Sequence, residues 1–463
     1  MNQAITDYYR CPEDVVDLEL IGAISEDPGY FHLGPEIICY GNSSSGFRNK
    51  QVSGPLYDVL TDVKADGRTV RLPLDPQEII ENLRHERYVC NGNGRRDWVV
   101  DSPMVRDLYY RLRPFLPLPV RKHLQRAFLS DWKKIRFPYW PVDGTVERIV
   151  ERVLILSMKA RGLDRVPFVW FWPDGAPSCA IMTHDVEQLA GRKFCPQLMD
   201  IDASFAIKSS FQIVPEERYP MPEGLLEEIR SRGFEINVQD LNHDGRLFSS
   251  REEFLRRVER INEYGRKYRA LGFRSGVLYR NQAWYRALEF SYDMSVPSVA
   301  HLEPQRGGCC SVMPFFIGRI LELPVTTVQD YSLFHILNDY TIDLWRQQID
   351  AITEKHGLAS FIVHPDYIIE RRARMTYQAL LEHLARMREE RKIWIALPCE
   401  VDRWWRERSE MKVVFDGDGW RVDGEASARA RLAFATIVGD RLTFTVEGRS
   451  SRQQGTNVSQ RIL

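Results

Sequence analysis

Along residues 165–408, short apolar runs alternate with longer segments whose apolar positions recur at helical spacing. The runs predict strands at 166–171, 179–183, 210–214, 235–238, 272–274, 294–296, 320–323, 359–363 and 393–397. Between them, the helical period predicts helices at 222–232, 251–271, 343–356 and 376–390. Unbroken apolar runs are the mark of strands covered on both faces, as in parallel sheets. Strand–helix alternation on this scale builds βα units with right-handed crossovers. The expected class is therefore α/β, with an open parallel sheet or a barrel.

The flanks read differently. Residues 1–145 form a mixed α/β region with loop signals at 41–46 and 91–94 and a strand at 69–74. Asp75-Pro76 has the cap and first-turn chemistry to start a helix running to 84. Short helices are expected at 108–112 and 120–129. Asp143-Gly-Thr-Val-Glu147 opens a further helix, in which Val146, Ile149, Val150, Val153, Leu154 and Leu156 share a face. After about 410, alternating runs at 413–415, 432–438 and 442–446 are separated by Gly and Asp turns, the pattern of a small antiparallel unit. The tail beyond 448 is polar. The expected division is 1–145, a barrel-like 146–408, and a β unit over 409–463.

Composition narrows the function classes. The chain has 463 residues, 44% hydrophobic and 27% charged, which excludes wholesale disorder. A formal charge of −1 gives no chain-wide attraction to nucleic acid, and none is expected as a partner. Residues 111–136 are locally basic (Arg111, Arg113, Arg121, Lys122, Arg126, Lys133, Lys134 and Arg136) with aromatics between. A solvated helix face explains them; contact with an anionic membrane surface or a lipid-linked sugar is the sharper alternative. The first residues lack a basic stretch followed by an apolar core, and no run reaches the roughly 20 apolar residues that span a bilayer. Eight cysteines without CxxC spacing indicate neither a disulfide framework nor a cysteine zinc site. A cytoplasmic location is the expectation.

Candidate chemistry lies where strands end, as catalytic groups do in such folds. Thr183-His-Asp-Val-Glu187 closes the second run, and alternation would return Asp185 and Glu187 to one side. Later strand ends offer Gln239 to Asp244, Arg274, Asp293 with Ser295, and His364. A hydrolytic site needs a base, an acid for the leaving group and an oxyanion stabiliser, and Asp, His and Arg from separate strands can supply them.

The order of these motifs, over roughly 175–400, resembles the polysaccharide deacetylase family (the NodB-homology, or carbohydrate esterase 4, group). The resemblance implies a distorted (β/α) barrel that removes acetyl groups from N- or O-acetylated sugars with a divalent metal, zinc above all. It also implies Asp185 as base, Arg274 as the residue orienting that base, and His364 as general acid. Metal ligands would be Glu187 and His243, with Gln239 a weaker third, and Asp293 would contact substrate. From the residues alone, Trp172 could stack its face on a sugar, with core or lid packing the commoner role. Three positions depart from the family pattern, one of them Gly276 where a proline is usual. Val186 stands where a metal-binding Asp is usual, and Gln239 replaces the first His of the HxxxH motif. An amide oxygen is a poorer zinc ligand than imidazole. The leading expectation is an acetylated-carbohydrate hydrolase, metal-assisted, acting on lipid- or nucleotide-linked sugars or intracellular oligosaccharides. A metal-independent amidohydrolase on the same barrel and a non-catalytic carbohydrate-binding or scaffold protein are the alternatives.

Overall fold

The structure is a computed structural model and describes residues 1–89 and 126–448. The loop expected at 91–94, the helix expected at 108–112, most of the basic segment and the polar tail lie outside those residues.

At the centre is a nine-stranded sheet. Its strands are β1 (Cys179–Val186), β2 (Ser210–Ile213), β3 (Glu235–Gln239), β4 (Gly272–Arg274), β5 (Tyr292–Asp293), β6 (Phe315–Ile317), β7 (Ile320–Glu322), β8 (Leu358–Val363) and β9 (Trp394–Ala396). They run in the order β6-β7-β5-β4-β3-β2-β1-β8, parallel throughout except for the β6–β7 hairpin. β1 is long enough to serve two neighbours on one edge. Cys179 to Ile181 pair with β9, and Thr183 to Val186 pair with β2. Every residue of β1 is buried, as its apolar run requires.

β7 and β8 do not meet in a backbone ladder. Residues 325–327 fill that gap: Val325 bridges to Pro297, the Thr326 hydroxyl donates to Leu358 O and accepts from Ser360 N, and the Thr327 hydroxyl donates to Ser360 O. The sheet thus curls into a distorted (β/α) barrel whose seam is closed by threonine side chains. Helices Leu189–Ser204, Glu223–Ser231, Arg251–Lys267, Asp343–Glu354, Arg371–Glu390 and Pro398–Glu410 follow its strands. The apolar faces of the first five and the outward faces of the strands form one core, which includes Phe194, Ile229, Phe254, Ile349 and Leu380, while Pro398–Glu410 turns Val401, Trp404 and Trp405 into a second core.

One expected barrel strand belongs elsewhere. Arg165–Val169 pairs antiparallel with Leu432–Val438, which pairs in turn with Arg441–Val446. The N-terminal residues add the sheet of Leu18–Leu20, Thr69–Leu72 and Lys64–Asp66, and the hairpin Gly29–His32/Ile38–Gly41. Asp75 caps helix Pro76–Arg84 by accepting from Gln77 N at 3.0 Å. Helix Thr145–Arg161 buries Val146, Ile149, Val150, Val153 and Leu154 in a core shared with the N-terminal residues, the C-terminal sheet and the floor of the barrel. No helix among the described residues is long and apolar enough to cross a membrane.

Candidate active site

Alternation along β1 sends Asp185 to the barrel interior and Val186 into the surrounding core, where it is fully buried. One residue further, Glu187 returns to the side of Asp185. A single amide joins them: Gln239 Nε2, at the end of β3, donates to Asp185 Oδ2 at 3.1 Å and to Glu187 Oε1 at 3.2 Å. Gln239 and Arg274 are register partners at the ends of β3 and β4. Arg274 is wholly buried, donates to Thr183 Oγ1 at 3.0 Å and places Nη1 3.7 Å from Asp185 Oδ1.

His364 follows β8. Its Nδ1 lies 2.6 Å from Asp330 Oδ1, its backbone N–H donates to Asp330 Oδ2 at 2.7 Å, and its Nε2 faces Glu187 Oε1 at 3.5 Å. Asp330 therefore fixes the ring with the Nδ1 proton on its own side and Nε2 toward the cluster. Asp185, Glu187 and His364 each offer an atom within 4.8 Å of the others, which leaves room for about one small reacting group between base and imidazole. Glu187 is the most open of these side chains at 16%, against 5% for Asp185 and for His364, so a ligand approaches past it.

The charges follow from this packing. Burial raises Asp185 above the ordinary aspartate range, against the pull of Arg274 and His364. Burial would raise Glu187 too, but the neighbouring His243 and His364 outweigh it and hold Glu187 well below its usual range. For His364, burial opposes the charged ring, yet Asp330 and Glu187 together keep it well above the ordinary histidine value. The cluster holds a readily protonated imidazole beside a carboxylate that ionises late.

The donor set expected for a metal does not present itself as ligands. His243 Nε2 is 2.7 Å from Glu187 Oε1, while Arg218 Nη2 lies 3.1 Å from His243 Nδ1 and donates to His243 O at 2.8 Å. A guanidinium has no lone pair to accept with, so Nδ1 accepts and a neutral ring carries its proton on Nε2. That nitrogen then has no free pair for a cation. Gln239 likewise turns its NH₂ toward both carboxylates, because only the nitrogen can donate to two acceptors. Zinc held by Glu187, His243 and Gln239 does not fit these atoms. The spacing of Asp185, Glu187 and His364 would suit a cation, but the Gln239 N–H already bridges the two carboxylates.

Two expected substrate contacts are corrected. Trp172 is fully buried against Trp394 and Trp405 and donates its indole N–H to His356 O, so its faces are spent on packing. Asp293 is also fully buried, accepting from the Ser295 hydroxyl and backbone N–H, beside Glu322. Burial pushes both carboxyls up, a pair below Arg274 with no surface to offer a sugar. The Gly307-Gly-Cys-Cys310 loop packs on the N-terminal region, with Gly308 N donating to Glu86 and Tyr88 to Gly308 O. Asp330 and Arg218 escaped the sequence reading. The first lies just past the threonine seam, and reading 325–330 as the carboxyl extension of β7 would have exposed it. No sequence signal marked Arg218.

No family model and no curated relative matches the chain. Among solved structures it is similar to a protein from Mycobacterium smegmatis described as a polysaccharide deacetylase, with TM-score 0.42 and 16% identity over 54% of this chain and 96% of that one. It is also similar to the Xyl-CE4 domain of a multidomain xylanase from the hindgut metagenome of Trinervitermes trinervoides (TM-score 0.32, 10% identity, 49% and 90% of the two chains). A third is a Bordetella bronchiseptica protein described as a polysaccharide deacetylase involved in O-antigen biosynthesis (0.30, 16%, 50% and 86%). These likenesses concern the fold.

Proposed function

We propose that the protein is a hydrolase that removes an acetyl group from an N- or O-acetylated sugar, and that it does so without a resident metal. The observation that supports this most is the pairing of Asp185 with His364 within 4.8 Å, each backed by its own partner, Arg274 or Asp330. Asp185 accepts a proton from a water molecule as that water attacks the acetyl carbonyl. His364 Nε2–H protonates the departing amine or alkoxide. Arg274 keeps Asp185 aligned, and its Nη1 and Nε, which have no hydrogen-bond partner among the described residues, add positive potential beneath the developing oxyanion. Gln239 holds Glu187 by N–H donation, with His243 Nε2 packed beside it at 2.7 Å, the part a dication would otherwise play.

Acetate release from N-acetylated chito-oligosaccharides, measured on protein purified without added metal, tests this reading. Release that persists in chelator, from protein containing no stoichiometric divalent ion, is the expected result. Release that vanishes in chelator and returns with zinc would defeat the metal-free part. An Asp185→Asn variant that releases acetate at the wild-type rate would defeat the site.

A further inference from the structure

A second cavity, of about 420 Å³, opens where the N-terminal region, the end of helix Thr145–Arg161 and the C-terminal β unit meet. None of its lining residues belongs to the Asp185–His364 cluster. Three arginines converge on it, Arg68, Arg161 and Arg165. Among the described residues neither Arg68 nor Arg165 makes an ion pair, and Arg161 has only Asp14, at 3.8 Å. Arg161 Nε is buried without a hydrogen-bond partner. Three guanidiniums with their fork-shaped donors unspent are an arrangement suited to a carboxylate or phosphate.

The aromatic residues add a second requirement. Trp420 lines the cavity while 37% exposed, and it stands edge-on to the still more exposed Phe415 at 5.2 Å. Both lie on the hairpin Lys412–Phe415/Trp420–Asp423. Phe434, on the neighbouring sheet, holds Arg165 over its ring at 3.4 Å and so aims that guanidinium. An exposed indole beside charged donors offers a flat apolar face to a ring whose rim is polar. Asp14 and Glu447, which also line the cavity, are acceptors for hydroxyl groups. A bare anion would be poorly served by two carboxylates, and an apolar ligand by three arginines.

We infer that this cleft binds an anionic saccharide, with a sugar face on Trp420, a carboxylate or phosphate on Arg68, Arg161 and Arg165, and hydroxyls on Asp14 and Glu447. The inference rests on the carbohydrate reading of the barrel and extends it: the C-terminal β unit anchors an acidic glycan apart from the site that hydrolyses it. The cavity size lies within the range of ordinary ligand pockets, about 300–1,000 Å³.

The test uses the full chain carrying Asp185→Asn, so that binding is read without turnover. Its probes are a glucuronate/N-acetylglucosamine tetrasaccharide, the same tetrasaccharide with its carboxyls reduced, and ADP, each titrated by calorimetry. The acidic tetrasaccharide is expected to bind about tenfold more tightly than the reduced one, the effect of a charge-assisted contact. Trp420→Ala and the double variant Arg68→Ala/Arg165→Ala change exposed side chains, and each is expected to weaken binding by a similar factor. With Asp185 restored, both should leave acetate release from a short neutral substrate unchanged. Equal affinity for the reduced tetrasaccharide, tighter binding of ADP, or indifference to the cleft variants would each overturn the inference. Cleft binding in a protein that releases no acetate would defeat the hydrolase reading alone; acetate release without cleft binding would defeat the cleft alone.

Discussion

His184 and Asp185 are neighbours on one strand, yet the two faces of that strand carry opposite kinds of polar network. On the outer face every capacity is used. His184 Nδ1 meets Val363 O at 3.1 Å and Nε2 meets Asp202 Oδ2 at 3.0 Å, while Asp202 also accepts from Ser209 and Tyr377 at 2.6 Å each. All four side chains are sealed from solvent. On the inner face, Asp185 Oδ1, Gln239 Oε1, His243 Nε2, Arg274 Nε and Arg274 Nη1 are buried without hydrogen-bond partners among the described residues. Unsatisfied buried polar atoms cost about 1–3 kcal/mol each, so a cluster of them is kept for something that arrives. The saturated network is a fixture; the unsaturated one awaits a ligand.

Substitution separates the two most sharply. On the inner face, Asp185→Asn or His364→Ala should slow acetate release by about 10²- to 10⁴-fold, the range of general acid–base catalysis. For Asp185→Asn the thermal midpoint should hold or rise, because burial disfavours that carboxylate in the folded state; His364→Ala leaves the buried Asp330 unpaired and should lower it. On the outer face, Asp202→Ala should destabilise the fold by about 3–5 kcal/mol, the cost of orphaning one member of a buried pair. Activity per folded molecule should survive it. Denaturant unfolding and acetate release on the same preparations decide the matter, and the contrast collapses if both faces respond alike.

Much of the inner face was legible in the sequence because strand periodicity is enough to bring Asp185 and Glu187 together around a buried Val186. Arg274 and His364 were equally visible, each directly terminating an apolar run. What remained hidden were residues whose placement depends on tertiary closure. Asp330 reaches His364 only because the threonine seam carries residues 325–330 alongside β8, and Arg218 reaches His243 from a loop without periodicity. Helix Leu189–Ser204 was missed because Pro196 lies inside it, a residue that ordinarily ends helices. Strand Arg165–Val169 was assigned to the barrel on its apolar run, since such a run does not reveal whether its partners are parallel.

The pH dependence sharpens the inner face. The proposed mechanism needs Asp185 ionised and His364 protonated. Asp185 is raised, so the acid limb of kcat/KM should lie above the ordinary aspartate value of 3.8. His364 is raised as well, so the alkaline limb should lie well above the ordinary histidine value of 6.5. Asp330→Asn removes the nearer of the two charges that hold His364 protonated and should move the alkaline limb down while leaving the acid limb in place. The same sign governs stability. The contribution of the raised His364 is fully present below the unfolded histidine value and is lost as pH rises through the folded one. A rate profile with an unmoved alkaline limb in Asp330→Asn would remove His364 from the role of acid.

The smallest expected effect concerns the metal-free part of the proposal. Arg218 obliges His243 Nδ1 to accept, which puts the proton of the neutral ring on Nε2, 2.7 Å from Glu187 Oε1 without hydrogen-bond geometry toward it. Arg218→Met would free Nδ1 to hold the proton and release the Nε2 lone pair toward the cluster. It also removes a positive charge beside the place a dication would sit. Outer-shell partners of this kind change metal affinity by about 10- to 100-fold, and the lower end is expected because Gln239 still blocks the carboxylates. Competition titration of zinc against a chromophoric chelator reads this directly, with no need for turnover. Unchanged zinc affinity in Arg218→Met would mean that the tautomer of His243 does not decide the matter, leaving the Gln239 amide between Asp185 and Glu187 as the group that holds a cation out.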